Sequence, residues 1–582
     1  MPDMIATGKD GRGRDGADPI AMEVFANRLL SITEEMGNVL VRASFSTNIK
    51  ERKDCSVGMF DARGRCLAQA AHMPMHLGSL MGAVVTVLER YRLDQLRPGD
   101  AFVCNDVFLA GGTHQPDINI ITPIFVEDRV AFFAANTGHH SDVGGPNPGS
   151  MSQSARSIFE EGLRIPVMRI VRAGELDLDL LEMIAHNSRE PVERILDLRA
   201  QIAVNERGVE LMGRLVATDG LAATEAAIEA LLAYTGRRLR ARIATLPDGE
   251  YAGERWMDGD GVPGGGPIVL RAKAVVKGDD LLLDFAGSAA QARGALNIAT
   301  NALQATCYYA VKALLDPELP ANSGLFDAIR ISAPEGSICN PRFPAATCAR
   351  AISANRLSGA IFDAFSKVLP AASRMAHSHD SVPAFVVAGE RRTGPYVYLE
   401  TIGGGAGARL GADGADAVQM HVTNSSNLPA EAMEIEYPVL VDEYALVPDS
   451  GGAGRWRGGL GIARQVSARV DGTLITARGE GHEKVAPGLD GGLQGGRALL
   501  LIEPGTERER LLPTATTALP VAAGVGVRME TPGGGGLGDP GLRDPGTIAA
   551  DILDGKVTRA AAERDYGAAR VAEALATWRD PT

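Results

Sequence analysis

The sequence predicts an α+β protein of more than one domain, on three observations. Runs rich in Ile, Val and Phe pair around short polar breaks at two places before residue 140. Helical periodicity governs residues 18–43 and most of 153–245. The last third is dense in glycine, as in TIGGGAGARLG, DSGGAGRWRGGLG, GLDGGLQGG and TPGGGGLGDPG. The expected division is a disordered N-terminus over 1–17, an N-terminal mixed α/β metal-binding region with hairpins and long helices over 18–247, and a C-terminal β-rich, glycine-dense region with helices over 248–582.

A length of 582 residues suffices for two or more domains with large cores. Net charge is −14, from 58 basic and 72 acidic residues, with no long run of one sign. A nucleic-acid surface needs a basic stripe, so no nucleic-acid partner is expected. The six cysteines are scattered with no C-x-x-C pair, which fits reduced thiols in a cytoplasmic protein. The opening MPDMIATGKDGRGRDGADP lacks the apolar core of a signal peptide. No stretch reaches the roughly 18 apolar residues of a membrane span, so no membrane partner is expected.

In chain order, Asp18-Pro19 is a helix start, and Ile20, Val24, Leu29, Ile32, Met36, Val39 and Leu40 recur near the 3.6-residue period up to Ala43. SVGMF and RCLAQA then read as strands about the turn Asp61-Ala62-Arg63-Gly64. Asp54 and His72 flank the open end of that hairpin. His72 and His76 are four apart, the spacing of one helical face, although Pro74 between them opposes a regular helix.

The runs 118–126 and 129–135, split by Glu127-Asp128, read as a second hairpin. Pro123 lacks a ladder donor and should make its strand an edge or interrupt it. LRIPVMRIV is expected to be extended, and residues 178–209 helical. ATEAAIEALLAYTGRRLRARIATL reads as one further helix, broken or ended near Gly236. IVLRAKAVV and LLLDF are hairpin arms, and a helix is expected over 301–315. The glycine runs lack the Lys followed by Ser or Thr of a phosphate loop, and read as turns in a β-rich region. No G-x-S-x-G stands in a strand–elbow–helix context.

The chemistry-bearing residues gather in the second hairpin. Asp117 and His139 each lie 11 residues from Asp128, so strand pairing brings His114 and Asp117 beside His139 and His140. Imidazoles with carboxylates suit a first-row metal. The opposing reading of each residue is a polar loop position, but a set at one hairpin end points to ligands.

GGTHQPD, NTGHHSDVGG, EEGLRIPVMRI, DSGGAGRWRGGLG, TPGGGGLGDP and the tail DILDGKVTRAAAERDYG together resemble the hydantoinase B/oxoprolinase family, from about residue 18 to near the C-terminus. That family includes the B subunit of ATP-dependent N-methylhydantoinase, the C-terminal half of 5-oxoprolinase, and the related large subunits of acetone and acetophenone carboxylases. The resemblance implies a divalent metal, zinc or manganese, held by His114, Asp117 and His139, with Asp54 from ERKDCS as a nearby or fourth ligand. It implies a hydantoinase A-type ATPase partner, in a heterotetramer or larger assembly, that uses ATP and magnesium.

The implied function is a hydrolase on cyclic amides, opening hydantoin, 5-oxoproline or another lactam. The partner phosphorylates the amide oxygen, and this chain hydrolyses the activated intermediate with metal-generated hydroxide. His140 and Asp142 either shuttle the proton as catalytic residues or orient the ligands. His72 and His76 are further candidates for the same site. Carboxylation of a ketone is the alternative within the family. A non-haem iron oxygenase face and a non-catalytic scaffold for the ATPase are alternatives from other classes.

Overall fold

The computed structural model describes residues 19–578 apart from Ala71, Gln153, Ser154, Pro263 and Thr514; the expected disordered N-terminus and Asp18 lie outside them. Its architecture is α+β and multi-domain, with four sheets. Helix α1 (Pro19–Ala43) is followed by the single turn α2 (Thr47–Lys50). The strands β1 (Cys55–Asp61) and β2 (Cys66–Gln69) precede α3 (His76–Arg90). Then come β3 (Ala101–Cys104), β4 (Asp117–Val126), β5 (Arg129–His139), β6 (Met168–Arg172) and β7 (Glu175–Leu176). These strands form one sheet in the order β2-β1-β5-β4-β3-β6-β7.

The helices α4 (Leu178–Ala185), α5 (Pro191–Asp219) and α6 (Leu221–Ile243) complete the N-terminal helical stretch. Helices α1 and α5 lie against the central strands, and α3 contacts the same strands. Helices on both faces explain why β1 is buried at every position and β5 at all but its first. A two-faced burial needs continuous apolar runs rather than alternation. That is what 118–126 and 129–135 contain.

Two expectations are corrected in this region. Ile20 and Val24 are 73% and 54% exposed, because the buried stripe of α1 begins at Phe25 and then runs through the expected Leu29, Ile32, Met36 and Leu40. Helix α6 runs through Gly236 without a break, since Leu231, Leu232, Thr235 and Leu239 keep one buried face on either side of it. A single internal glycine costs only about 1 kcal/mol, which such packing outweighs. Pro123 agrees with its expectation, standing where β4 keeps β5 on one side and no longer has β3 on the other. The β3 ladder on β4 stops at Ile121, so Pro123 removes no hydrogen bond from it.

The next sheet, β8 (Gly249–Met257), β9 (Ile268–Lys277), β10 (Asp280–Asp284) and β11 (Ile329–Ser332), lies in the order β11-β10-β9-β8. Between β10 and β11 run α7 (Thr300–Leu315) and the short α8 (Ser323–Phe326), and after them comes α9 (Arg350–Ser366). Helix α9 packs on β8 and β9. One continuous core joins Phe60 and Phe133 of the first sheet to Leu283, Leu357 and Leu399. So the first sheet and α9 share one core, which matters for the site.

The remaining strands form a four-stranded and a five-stranded sheet that share a core of Phe385, Tyr398, Val466, Leu500 and Val527. The glycine runs here are mostly not turns. They are extended segments lying backbone to backbone: Gly459 N donates to Ala406 O (2.8 Å), Gly534 N to Gly459 O (2.9 Å), and Gly536 N to Leu493 O (2.9 Å). A Cβ on Gly534 would lie 1.9 Å from the Ala406 oxygen, so only glycine permits this approach.

Candidate metal centre

Three neighbouring strand ends build the site. The pairing of β4 with β5 sets Asp117 opposite His139. The pairing of β1 with β5 sets Cys55 opposite Gly138, so Asp54 comes beside His139, whose N–H donates to the Asp54 carbonyl (2.9 Å). His114 stands three residues before Asp117, and its Nε2 lies 3.0 Å from Asp117 Oδ1. The rings of His114 and His139 are 4.9 Å apart between centroids. One donor atom from each of His114, Asp117 and His139 falls within 4.8 Å of the others.

His76, the first residue of α3, covers this set. Its Nε2 lies 3.4 Å from Asp117 Oδ1 and 3.5 Å from Asp54 Oδ1, and its Nδ1 is 3.2 Å from Ser56 Oγ. The five side chains of Asp54, His76, His114, Asp117 and His139 are all buried. Asp54 Oδ1, His114 Nε2 and Asp117 Oδ1 have no hydrogen-bond partner among the described residues. Buried polar atoms left unpaired in this way are costly unless a ligand or water completes them.

The surrounding contacts orient these donors. His114 Nδ1 donates to Cys348 O (3.1 Å), which leaves its Nε2 lone pair turned to the cluster. Asp117 Oδ2 accepts from Thr113 Oγ1 (3.0 Å) and Arg350 Nη2 (2.8 Å), which leaves Oδ1 facing the His114 and His76 rings. Asn48 Nδ2 lies 3.4 Å from His139 Nδ1, and Arg52 Nη1 donates to Asn48 Oδ1 (3.2 Å). Glu161 accepts from Thr347 N (2.6 Å) and Cys348 N (2.8 Å), fixing the turn that carries the Cys348 carbonyl.

Electrostatics separate two neutral rings, His139 and His114, from the charged Asp117 carboxylate. Burial lowers His139 to about 3, and burial with the nearby Arg350 lowers His114. Burial opposes the charge on Asp117, yet His114, His76 and Arg350 hold its carboxyl well below the usual range. His76 is also penalised by burial, but Asp117 and Asp54 raise it. Neutral imidazoles beside an ionised carboxylate are the protonation states a cation requires of its ligands.

Three candidates lie elsewhere. Adjacent strand residues face opposite sides of a sheet, so His140 points away from the cluster to α5, where its Nε2 meets Gln201 Oε1 (3.0 Å). Asp142 is engaged by the following loop: it accepts from Gly144 N, Gly149 N, Arg189 N and Arg189 Nη1. His72 precedes α3 rather than sharing its face, and its ring rests on Gly37 of α1. Arg350, Thr113, Asn48 and Glu161 went unrecognised as partners of the site. Thr113 stands next to His114 in GGTHQPD, whereas no local pattern marks Arg350, which is 233 residues from Asp117.

A profile of the hydantoinase B/oxoprolinase family matches residues 18–540. A protein named as a subunit of a D-/L-hydantoinase, from Pseudomonas sp. (strain NS671), is 32% identical over 94% of this chain and 95% of its own length. The 5-oxoprolinase of Dictyostelium discoideum is 31% identical over 92% of this chain, which spans 41% of that longer protein. The crystal structure of the ATP-dependent caprolactamase from Pseudomonas jessenii superposes with a TM-score of 0.88 and 26% identity, covering 96% of this chain and 100% of that one. Nucleotide-free acetone carboxylase shares the fold, with a TM-score of 0.86 at 21% identity over 96% of this chain and 82% of that one. No helix among the described residues is long and apolar enough to cross a membrane.

Proposed function

The chain belongs to the hydantoinase B/oxoprolinase family, and on that premise we propose that it is the metal-dependent subunit of an ATP-dependent cyclic amidase. In this reading a hydantoinase A-type partner phosphorylates a hydantoin, 5-oxoproline or other lactam, and this chain hydrolyses the activated ring. The names of its relatives, a hydantoinase subunit and an ATP-dependent caprolactamase, support cyclic-amide hydrolysis over other chemistry.

The observation that carries the reading is the buried set of unpartnered donor atoms on Asp54, His114 and Asp117, beside His139. Two ligands of a tetrahedral zinc at ~2.1 Å are about 3.4 Å apart. The 3.0 Å between His114 Nε2 and Asp117 Oδ1 is close to that spacing. His114, Asp117 and His139, with Asp54 as a fourth, therefore fit a divalent cation such as zinc or manganese. Bound there, it would supply a nucleophile near neutral pH, because coordination lowers the pKa of water from about 15.7 to roughly 7.

The chain's own residues do the rest. Cys348 O and Thr113 hold His114 and Asp117 in one orientation, so no reorganisation is needed during reaction. Arg350 balances part of the carboxylate charge. His76 Nε2, between two carboxylates, is placed to hold or pass a proton. Burial of the whole set excludes bulk water.

The test is co-expression with the neighbouring ATPase subunit, metal analysis of the purified complex, and ATP turnover against hydantoins, lactams and ketones. Metal-dependent, ATP-dependent ring opening is expected. Product that requires bicarbonate would turn the reading to ketone carboxylation, and a metal-free complex with full activity would leave this chain a scaffold.

A further inference from the structure

The two carboxylates of the metal cluster are gripped alike. Arg350 Nη2 takes one oxygen of Asp117 and leaves Oδ1 to the cluster. On the other side Arg52 Nη2 lies 3.5 Å from Asp54 Oδ2, and Asp54 Oδ1 faces His76 Nε2, also at 3.5 Å. Arg52 is wholly buried. For stability alone an apolar side chain of that size would serve as well, because desolvating a charge offsets much of what its partner returns. The contact with Asp54 is also too long for a good hydrogen bond, so the ion pair by itself does not hold the guanidinium. Two neutral acceptors do.

One is Asn48, whose Oδ1 takes Arg52 Nη1 (3.2 Å) and whose Nδ2 lies 3.4 Å from His139 Nδ1. The other is Thr401, whose Oγ1 takes Arg52 Nη2 (3.2 Å) from 349 positions away. Thr401 ends the strand Gly394–Thr401 at the edge of the C-terminal four-stranded sheet. An arginine has only donors, so the Thr401 hydroxyl keeps its own proton for Ser425 Oγ at 2.7 Å. Gln419 Nε2 donates to Thr401 O (3.1 Å). The planar fork of the guanidinium is what lets one side chain reach Asn48, Thr401 and Asp54 at once.

The C-terminal region also holds the backbone of both loops that carry these groups. Ser426 N donates to Arg52 O (2.9 Å), two residues before Asp54. Met75 N donates to Val422 O (3.2 Å) and Asn424 Nδ2 to His72 O (3.4 Å), on the loop that ends at His76. None of these bonds ends on a cluster side chain. Each ends on the segment that presents one.

We propose that Arg52 is a positioning residue for Asp54, and that through it the C-terminal sheet sets the metal centre of the N-terminal region. The inference rests on the metal-dependent reading above. It goes further in making ligand geometry depend on Thr401, which lies outside the hairpins that supply the ligands. With Arg52 at Oδ2, the carboxylate offers Oδ1 to a cation at one angle instead of swinging between its two oxygens.

Zinc affinity of the full-length chain, measured by competition with a chromophoric chelator, tests it. Arg52→Lys keeps the charge and removes the fork. It should weaken zinc binding by about 10–100-fold, the usual loss for a residue that orients a ligand. Thr401→Val removes only the acceptor and should weaken binding in the same direction. A residue that acts through Asp54 adds nothing once Asp54 is disabled. Arg52→Lys combined with Asp54→Asn should therefore bind zinc no more weakly than Asp54→Asn alone. With cobalt in place of zinc, the visible absorption of Arg52→Lys should move to that of Asp54→Asn, a change that lost folding stability would not produce. Parent-like affinity in Arg52→Lys, or losses that add in the double variant, would overturn the role of Arg52. Parent-like affinity in Thr401→Val would overturn the link to the C-terminal sheet. Zinc bound by the parent and lost in His114→Ala separates these outcomes from failure of the metal reading, in which the parent itself binds none.

Discussion

Arg350 Nη2 sits 2.8 Å from Asp117 Oδ2, joining the first residue of one helix to the first residue of a strand 233 positions earlier. Both groups are buried, and Arg350 also reaches Thr113 Oγ1 at 3.0 Å. Removing one partner of a buried ion pair typically costs about 3–5 kcal/mol, because the other charge is left uncompensated. Arg350→Met is therefore expected to lower unfolding stability by roughly that amount and to cut activity of the complex. Arg350→Lys should not restore either, since a point charge replaces a planar fork. Chemical denaturation with parallel turnover assays would show it, and a variant as stable and active as the parent would refute the role.

His114→Ala is expected to abolish product formation while subunit assembly survives, because it removes a donor atom rather than an interface. Metal analysis should show reduced occupancy. Size-exclusion chromatography with the partner should show an unchanged complex. Retained turnover in metal-depleted variant protein would remove the metal role altogether.

Metal removal should mimic that variant in the wild-type complex. Dialysis against a chelator should eliminate ring opening, and added zinc or manganese should restore it. ATP hydrolysis by the partner is expected to persist or become uncoupled, since phosphorylation precedes the metal-dependent step. Ring opening that withstands complete metal removal, checked by elemental analysis, contradicts this.

Asp142 offers a contrast. Its carboxylate accepts two loop N–H groups and two from Arg189, at 2.8–3.2 Å. Asp142→Ala should cost on the order of 2–3 kcal/mol of stability, the range for hydrogen bonds to a charged group. Turnover per folded, metal-loaded molecule should change little. A large fall in kcat with stability intact would instead return Asp142 to the proton-shuttle role.

Glu161 gives a pH signature. Burial pushes its carboxyl up to about 7, against the pull of the Thr347 and Cys348 donors. A folded-state value above the unfolded one means this group's stabilisation is complete below about pH 4.5 and is lost as pH rises through about 7. Between pH 5.5 and 8 the loss amounts to about 2 kcal/mol. Glu161→Gln should shrink the difference in unfolding stability between those two pH values by that amount. An unchanged difference would mean Glu161 does not titrate there.

Much of this arrangement was legible in the sequence, and the reason is locality. The equal spacing of Asp117 and His139 about Asp128 matched their pairing, which the structure reaches because a register shift between Ile124 and Phe125 adds one residue to the register set at the Glu127-Asp128 turn. The β1–β2 hairpin, the span of α1 and the helix expected over 301–315 followed from period and turn chemistry in the same way. Pattern alone began the stripe of α1 too early, because Ile20 and Val24 precede the part of the helix that is buried.

The rest depended on which elements lie side by side, and no local signal encodes that. The pairing of β1 with β5 delivers Asp54, the packing of α3 delivers His76, and the packing of α9 delivers Arg350. The same pleat that turns His139 into the cluster turns His140 out of it to Gln201. The sequence by itself determined the donor types and the hairpin that pairs two of them, since turns and strand periods act over a few residues. Only the tertiary structure decided which distant side chains complete the set, since burying apolar faces against one another, not chain proximity, chooses their neighbours.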